Sequence, residues 1–425
     1  MTIMRYLGFI LLIGISLTGG ACLAQTPPKD HLRLERVVMF YRHGIRAPLD
    51  GEAAEYLADR PWPVWSTPAS YLTPHGSVGM QILGAYDRLW LTDAGLLPAT
   101  ACPAPGQVDI WTNKEERTIK SGEALAQGLA PGCPLTIGHL PPGQSDPLFD
   151  PLQARAVPYD PAAAVASFTA TYGSTTRLVA PYGQAVHTLE DILGCRHAGA
   201  TAPCDLGSLP GTVTVSADGS GIDLQGTVPV TSGTAEVFIL EYVEGLPLDQ
   251  VGWGRATRKR LTEVSRLHAL LFDVHTRSPY MAPRSGGPIG HRILDAVTAP
   301  DAPALTLLVG HDDGIAAVAS LLGVHFRIDT YGQDDPPIGG ALGFEVLRDT
   351  RSGQRFVRVF YQAQTLDQLR NLTPLTLQAP PAVQVLRMKA CSYKGQALCP
   401  FDQFAAFLQD RLALQDASPA DAKLK

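Results

Sequence analysis

The sequence predicts an α/β fold, a buried sheet flanked by helices, with a mainly helical domain inserted into it. Two apolar runs place the sheet. Val37-Val38-Met39-Phe40 and Ala304-Leu305-Thr306-Leu307-Leu308-Val309 are nearly unbroken, the pattern of strands covered on both faces in a parallel sheet. A change of texture places the insertion. Helical patterns dominate from about Pro158 to Arg277, so the α/β domain is assigned to residues 25–157 and 278–425 and the inserted domain to 158–277. A chain of 425 residues has room for both.

The first residues are set aside as a leader. Arg5 supplies a positive start, Tyr6 to Leu17 an apolar stretch, and Cys22-Leu23-Ala24 before Gln25 a small-residue cleavage site, so residues 1–24 read as a signal peptide. The run is too short, and too broken by Gly and Ser, for a membrane span. The rival reading acylates Cys22, but Gly19-Gly20-Ala21 lacks the apolar residue expected ahead of a lipidated cysteine. Cysteine usage agrees with export. Seven cysteines become six without Cys22, an even number as disulfides require. Neighbours along the chain are expected to pair, Cys102 with Cys133, Cys195 with Cys204, and Cys391 with Cys399. The zinc alternative has no Cys-x-x-Cys spacing behind it.

In the α/β domain, Pro74 to Leu97 reads as a helix with Val78, Ile82, Tyr86 and Leu89 on one stripe. A short strand follows at Gln107 to Trp111. The next helix runs to Leu129, opened by two overlapping capping boxes, Thr112 with Glu115 and Asn113 with Glu116. Within the insertion, Ala162 to Tyr172, Ala185 to Leu193, Thr234 to Tyr242 and Gly254 to Arg277 read as helices, with a Gly- and Thr-rich stretch from Ala198 to Gly226. His268 and His275 fall on the last of these helices and read as packed or solvated side chains. The sheet resumes with Ala304 to Val309 and a helix from Ile315 to Leu322, ended by Gly323. Strands are expected at Gly339 to Leu347 and Arg355 to Tyr361, and a closing helix at Phe401 to Leu412.

Chemistry concentrates where the buried strands end. Tyr41-Arg42-His43-Gly44-Ile45-Arg46-Ala47-Pro48 follows the first, and Gly310-His311-Asp312-Asp313-Gly314 follows the second. Open α/β sheets place ligands at such ends. Arg42 and Arg46 carry planar forks that match phosphate oxygens, Gly44 allows close backbone approach, and His43 offers a nitrogen able to attack phosphorus. Arg117 lies in the early turns of its helix, near amides that favour anions. The formal charge of −6 argues against nucleic acid as the partner of these cations.

The motifs Arg-His-Gly-x-Arg-x-Pro, Glu116-Arg117-Thr118 and His311-Asp312, in this order, resemble the histidine acid phosphatase family. The likeness is greatest to its bacterial periplasmic phytases and glucose-1-phosphatases. It also takes in Gly252-Trp253-Gly254-Arg255, the Pro336-Pro337-x-Gly339-Gly340 turn and the cysteine pairs. The resemblance implies a phosphoglycerate-mutase-like sheet and an exported, periplasmic, metal-independent enzyme acting on phosphate monoesters without a cofactor. By the same resemblance His43 is the nucleophile that becomes a phosphohistidine, and Arg42, Arg46, Arg117 and His311 hold the phosphate. Asp312 is then the proton donor, while Asp313 is expected to cap its helix.

Two departures bear on substrate. The His-Asp pair is followed by Asp313-Gly314 where relatives usually place a hydroxyl residue and then Asn. Leu49-Asp50, with Glu52 and Glu55 soon after, stand where phytase-like members tend to place a basic residue. Such a rim favours a singly phosphorylated sugar over a polyanionic inositol phosphate unless Arg258, Arg284 or Arg292 compensates. Two other classes compete: a phosphate-ligand binding protein without turnover, and a metallophosphatase ligated by His43, His311, Asp312 and Asp313.

Overall fold

Strand β1, Leu32–Arg42, runs through the middle of the main sheet because its second half is apolar on both faces; Val37 to Tyr41 are all buried. The computed structural model describes residues 31–195, 205–219 and 221–416. The leader, the Cys22 alternative and Cys204 lie outside them. From Leu32 onward the described residues form one compact unit.

After β1 come α1 (Pro74–Asp93), β2 (Val108–Thr112), α2 (Glu116–Leu129) and the short β3 (Ile137–Gly138). The chain then lays down α3 (Pro161–Tyr172), α4 (Thr175–Val179), α5 (Gly183–Leu193), a hairpin of β4 (Thr212–Val215) with β5 (Ile222–Gln225), and α6 (Thr227–Val243). Next are α7 (Arg258–His268), α8 (Leu270–His275) and α9 (Met281–Thr298). The sheet is rejoined by β6 (Leu305–Gly310), then α10 (Asp312–Leu322), β7 (Ala341–Asp349) and β8 (Arg355–Ala363). The chain finishes with α11 (Leu366–Arg370), β9 (Ala382–Leu386), β10 (Cys399–Pro400) and α12 (Phe401–Leu412).

The sheet order is β10-β8-β7-β1-β6-β2-β3, with β9 on β8. Strands β1, β6 and β2 are mutually parallel, whereas β7 and β8 turn antiparallel. The fold is therefore the expected α/β sheet flanked by helices. Register aligns the strand ends. Arg42 lies opposite Gly310, and Thr112 opposite Val309, so the three parallel strands finish side by side.

Several local expectations are corrected. The buried face of α1 includes Met80, Leu83, Tyr86 and Leu91, while Val78 and Leu89 are exposed. Glycines cause the shift: Gly84 and Gly128 let α1 and α2 touch backbone to backbone. Neither capping box at the start of α2 forms, because β2 continues through Thr112 and the helix begins later. Glu115 is its N-cap residue, and the Glu116 carboxylate instead accepts the Leu72 amide at 2.9 Å. The helix expected over 254–277 breaks at Ala269 into α7 and α8. Helix α9 has no counterpart in the sequence reading, and the Gly- and Thr-rich stretch contains the β4–β5 hairpin. Disulfides Cys102–Cys133 and Cys391–Cys399 are present. The pairing expected between Cys195 and Cys204 falls on Cys204, outside the described residues.

Candidate active site

The parallel strand ends bring distant motifs together through single backbone bonds. The His43 amide donates to the Gly310 carbonyl at 3.0 Å, and the Asn113 amide to Val309 at 2.9 Å. His43 thus stands beside His311, their rings 5.5 Å apart edge to face. The turn before β7 clasps the same segment. Arg42 donates its amide to Gly340 at 2.8 Å, and Gly339 donates to the His43 carbonyl at 3.0 Å. Gly339 does so at a φ of 69°, a conformation that disfavours a side chain. Helix α2 adds a brace: the Ser121 hydroxyl accepts the Gly44 amide at 2.9 Å and donates to the Arg117 carbonyl at 2.6 Å.

His43 is buried, and its Nδ1 donates to the Gly44 carbonyl at 2.8 Å, which leaves Nε2 with a lone pair in the neutral ring. Burial pushes its pKa well below the ordinary value, and the Arg117 and Arg42 guanidinium groups push the same way. His311 is lowered to about 3 by burial and by Arg117, whose Nη2 lies 3.5 Å from the His311 Nδ1. The site therefore holds two neutral imidazoles among cations.

Arg42 is almost wholly enclosed. Its Nη1 donates to the Pro336 carbonyl at 2.8 Å, and its Nη2 meets Glu236 Oε1 at 2.5 Å and Asp312 Oδ2 at 2.7 Å. Asp312 opens α10, and its Oδ1 accepts the Asp313 amide at 2.9 Å. Burial favours its neutral form, but Arg42 and then His268 outweigh it and hold the carboxyl far below the usual range. Asp313 accepts the Gly314 amide at 2.7 Å from within the first turn of α10, whose N-cap residue is His311, so the expected cap by Asp313 does not form. The Nε–H groups of Arg42 and Arg117 are buried without a partner, a cost that an incoming anion would remove.

Arg46 is held differently. Glu52 grips it with two bonds of 2.8 and 2.9 Å and accepts the Leu49 amide at 2.8 Å. Arg46 still acts on the centre, adding to the depression of the His43 and Asp312 pKa values.

A cleft of about 420 Å³ opens over His43, Arg117, His311, Asp312 and Asp313. Leu271, Phe272 and His275 line one side, and Glu115, Asp150 and Gln153 another. None of the three outlying arginines lines it. Arg258 pairs with Asp367 at 3.2 Å, Arg292 with Asp109 at 2.6 Å, and Arg284 donates to the Pro158 and Tyr280 carbonyls. No group of three or more His, Cys, Asp or Glu residues is placed to hold a metal ion among the described residues.

Sequence reasoning did not single out Glu236, Asp335 or Ser121, and it treated His268 as a packed or solvated side chain. Glu236 did leave a trace: it is a charge inside the apolar run Ala235-Glu236-Val237-Phe238-Ile239-Leu240, and buried charges need partners.

Known proteins resemble this chain in sequence and in fold. The family model described as histidine phosphatase superfamily (branch 2) matches residues 33–191. Phytase AppA of Escherichia coli strain K12 is 32% identical over 422 residues, covering 93% of this chain and 95% of the relative. The chain belongs to the histidine phosphatase superfamily, branch 2. Among members of that superfamily, glucose-1-phosphatase of Salmonella typhimurium is 31% identical over 407 residues, covering 93% of this chain and 96% of the relative. The structure of Hafnia alvei phytase in complex with tartrate superimposes with a TM-score of 0.84 at 31% identity, covering 92% of this chain and all of the other.

Proposed function

We propose that this histidine phosphatase is an exported, periplasmic acid phosphomonoesterase that works through a phosphohistidine on His43. One juxtaposition carries the reading. A neutral imidazole, two buried guanidinium N–H groups without partners and an acidic side chain gather where adjacent strands end and helix α2 begins.

The chemistry derives from that arrangement. The phosphate enters between Arg42, Arg46, Arg117 and His311, whose charges and N–H groups match its oxygens; positioning and charge stabilisation are most of what phosphoryl transfer needs. A phosphate dianion draws Arg42 away from Asp312 and adds negative charge beside it, so the carboxyl takes up a proton that it lacks in the free enzyme. His43 Nε2 then bonds to phosphorus as the ester P–O bond breaks, and the leaving oxygen takes the Asp312 proton. Water attacks the phosphohistidine next, giving its proton back to Asp312 and releasing phosphate.

His43→Ala is expected to abolish hydrolysis of a chromogenic aryl phosphate in mild acid, and full activity in that variant refutes the reading. Asp312→Asn should slow alkyl phosphates far more than aryl phosphates, because a good leaving group needs no proton. Asp313 is the other carboxyl at hand, pushed up to about 7 by desolvation and by Asp312. If Asp313→Asn, rather than Asp312→Asn, produces the leaving-group dependence, the donor is Asp313. Activity that survives a strong chelator separates this chemistry from a metallophosphatase.

The walls favour a singly phosphorylated, hydroxyl-bearing substrate. Glu115, Asp150 and Asp313 face the leaving group, and Arg117 is the one Arg or Lys among the described residues lining the cleft. Glucose 1-phosphate should therefore have a higher kcat/KM than phytate, and a preference for phytate would overturn this assignment.

A further inference from the structure

Behind the candidate proton donor lies a buried set of charges that no motif announces. His268, near the end of α7, is enclosed, and its Nδ1 bonds Asp335 Oδ1 at 2.7 Å. Asp335 is itself fixed: its other oxygen takes the Ser265 hydroxyl, which in turn accepts the Gly332 amide at 2.8 Å. The edge of the imidazole packs on Phe272, with ring centres 5.2 Å apart. The ring therefore has one orientation, and its free nitrogen is aimed at the active site. Nε2 lies 3.7 Å from Asp312 Oδ2 and 3.8 Å from Glu236 Oε2.

We propose that His268, oriented by Asp335, is a positioning residue that acts through Asp312 and sets the pH range over which that carboxyl can protonate the leaving group. The inference rests on the phosphohistidine reading and deepens it. The groups facing the ring are carboxylates from three places, Glu236 on α6, Asp312 on α10 and Asp335 on the loop ahead of β7. Arg42, from β1, bonds two of the same carboxylates from the other side. Burial works against a charged imidazole here, but Glu236, Asp335 and Asp312 together outweigh it and raise His268 to about 9. The ring is consequently an imidazolium throughout the acid range. A fixed cation beside Asp312 favours its ionised form and lowers the pH at which it can hold a proton. Phosphate binding raises the Asp312 pKa while His268 restrains the rise, and the balance confines turnover to acid.

The test is the pH dependence of single-turnover His43 phosphorylation, with enzyme in saturating excess over glycerol 2-phosphate or 4-nitrophenyl phosphate. Removing the cation should raise the Asp312 pKa in the complex. In His268→Asn the alkaline limb for glycerol 2-phosphate should therefore move upward by about one pH unit, and less for the aryl ester. A uniform loss of rate with the limb unmoved would make His268 structural and overturn the proposal. Asp335→Asn leaves the imidazole in place but withdraws one of the three carboxylates that keep it charged. It should shift the limb in the same direction by a smaller amount, so a limb unmoved in this variant counts against the proposal even if His268→Asn does not fold. Wild-type protein that never phosphorylates His43 would remove the parent reading instead.

Discussion

Glu52 neutralises Arg46, which does not line the cleft. Its carboxylate occupies both terminal nitrogens of Arg46, so an incoming phosphate must compete for that fork. Arg46 is enclosed while Glu52 is half-buried, and a pair so placed is only partly screened by solvent. Glu52→Gln keeps the shape of the clamp and removes its charge. Inorganic phosphate should then inhibit more strongly, with Ki falling on the order of threefold, a gain of under one kcal/mol; an unchanged or higher Ki would mean that Glu52 serves Arg46 by orienting it. Arg42, His43, His311 and Asp312 were legible because each lies in a short motif that directly follows an apolar run, and Arg117 because it opens a readable helix. Glu236, His268 and Asp335 were not. They sit on separate segments, and only the folded chain brings their side chains to one place.

Helices α1 and α2 meet at glycines, and α2 carries Arg117 and Ser121. A Cβ built on Gly128 would lie 2.0 Å from the Gln81 carbonyl oxygen, and one on Gly84 would lie 2.2 Å from that of Leu125. In an exposed helix Gly→Ala stabilises by about 1 kcal/mol. At this contact the sign should reverse. Gly128→Ala must push the helices apart, so a loss of roughly 1–3 kcal/mol is expected by thermal or denaturant unfolding. Activity should fall with it as Arg117 shifts, whereas a more stable variant would show that the helices separate at no cost. Similar crowding explains why α9 was unreadable. Pro283, Pro288 and three glycines within Met281–Thr298 suggest a loop, yet Gly286 packs on Ala317 of α10 and Gly290 on Leu412 of α12. Tertiary packing overrides weak helix propensity there.

Two buried acids contribute stability that is present in acid and lost as pH rises, against the opposite pull of the neutral, buried His43 and His311. Glu241, buried on α6, accepts the Gly252 amide at 2.8 Å with its other oxygen unpartnered, and burial raises it to about 8. Asp87, beneath β1, is raised to about 7 by burial. Both folded-state values lie above the unfolded ones, so at these two groups the native state binds more protons and their contribution to stability falls as pH rises from about 4 to 8. Asp312 has the opposite sign and withdraws its contribution only below the ordinary carboxylate range. Glu241→Gln keeps an acceptor for Gly252 and cannot ionise. Its Tm should exceed that of the wild type at pH 8.5 and match it at pH 5, and equal melting at both would mean that Glu241 is not buried as a neutral acid. The outline of the α/β sheet was readable because two strands are apolar on both faces. These protonated acids were hidden, since a Glu in a helix looks alike whether it meets water or core. The Cys102–Cys133 bond carries a last consequence. It closes a loop with a sequence separation of 31 residues around β2 and α2, restricting the unfolded chain by about 3 to 4 kcal/mol. Chains made where thiols stay reduced would lose this tether on the arm that delivers Arg117, so the pocket around Arg117 gains its full stability only under oxidising conditions.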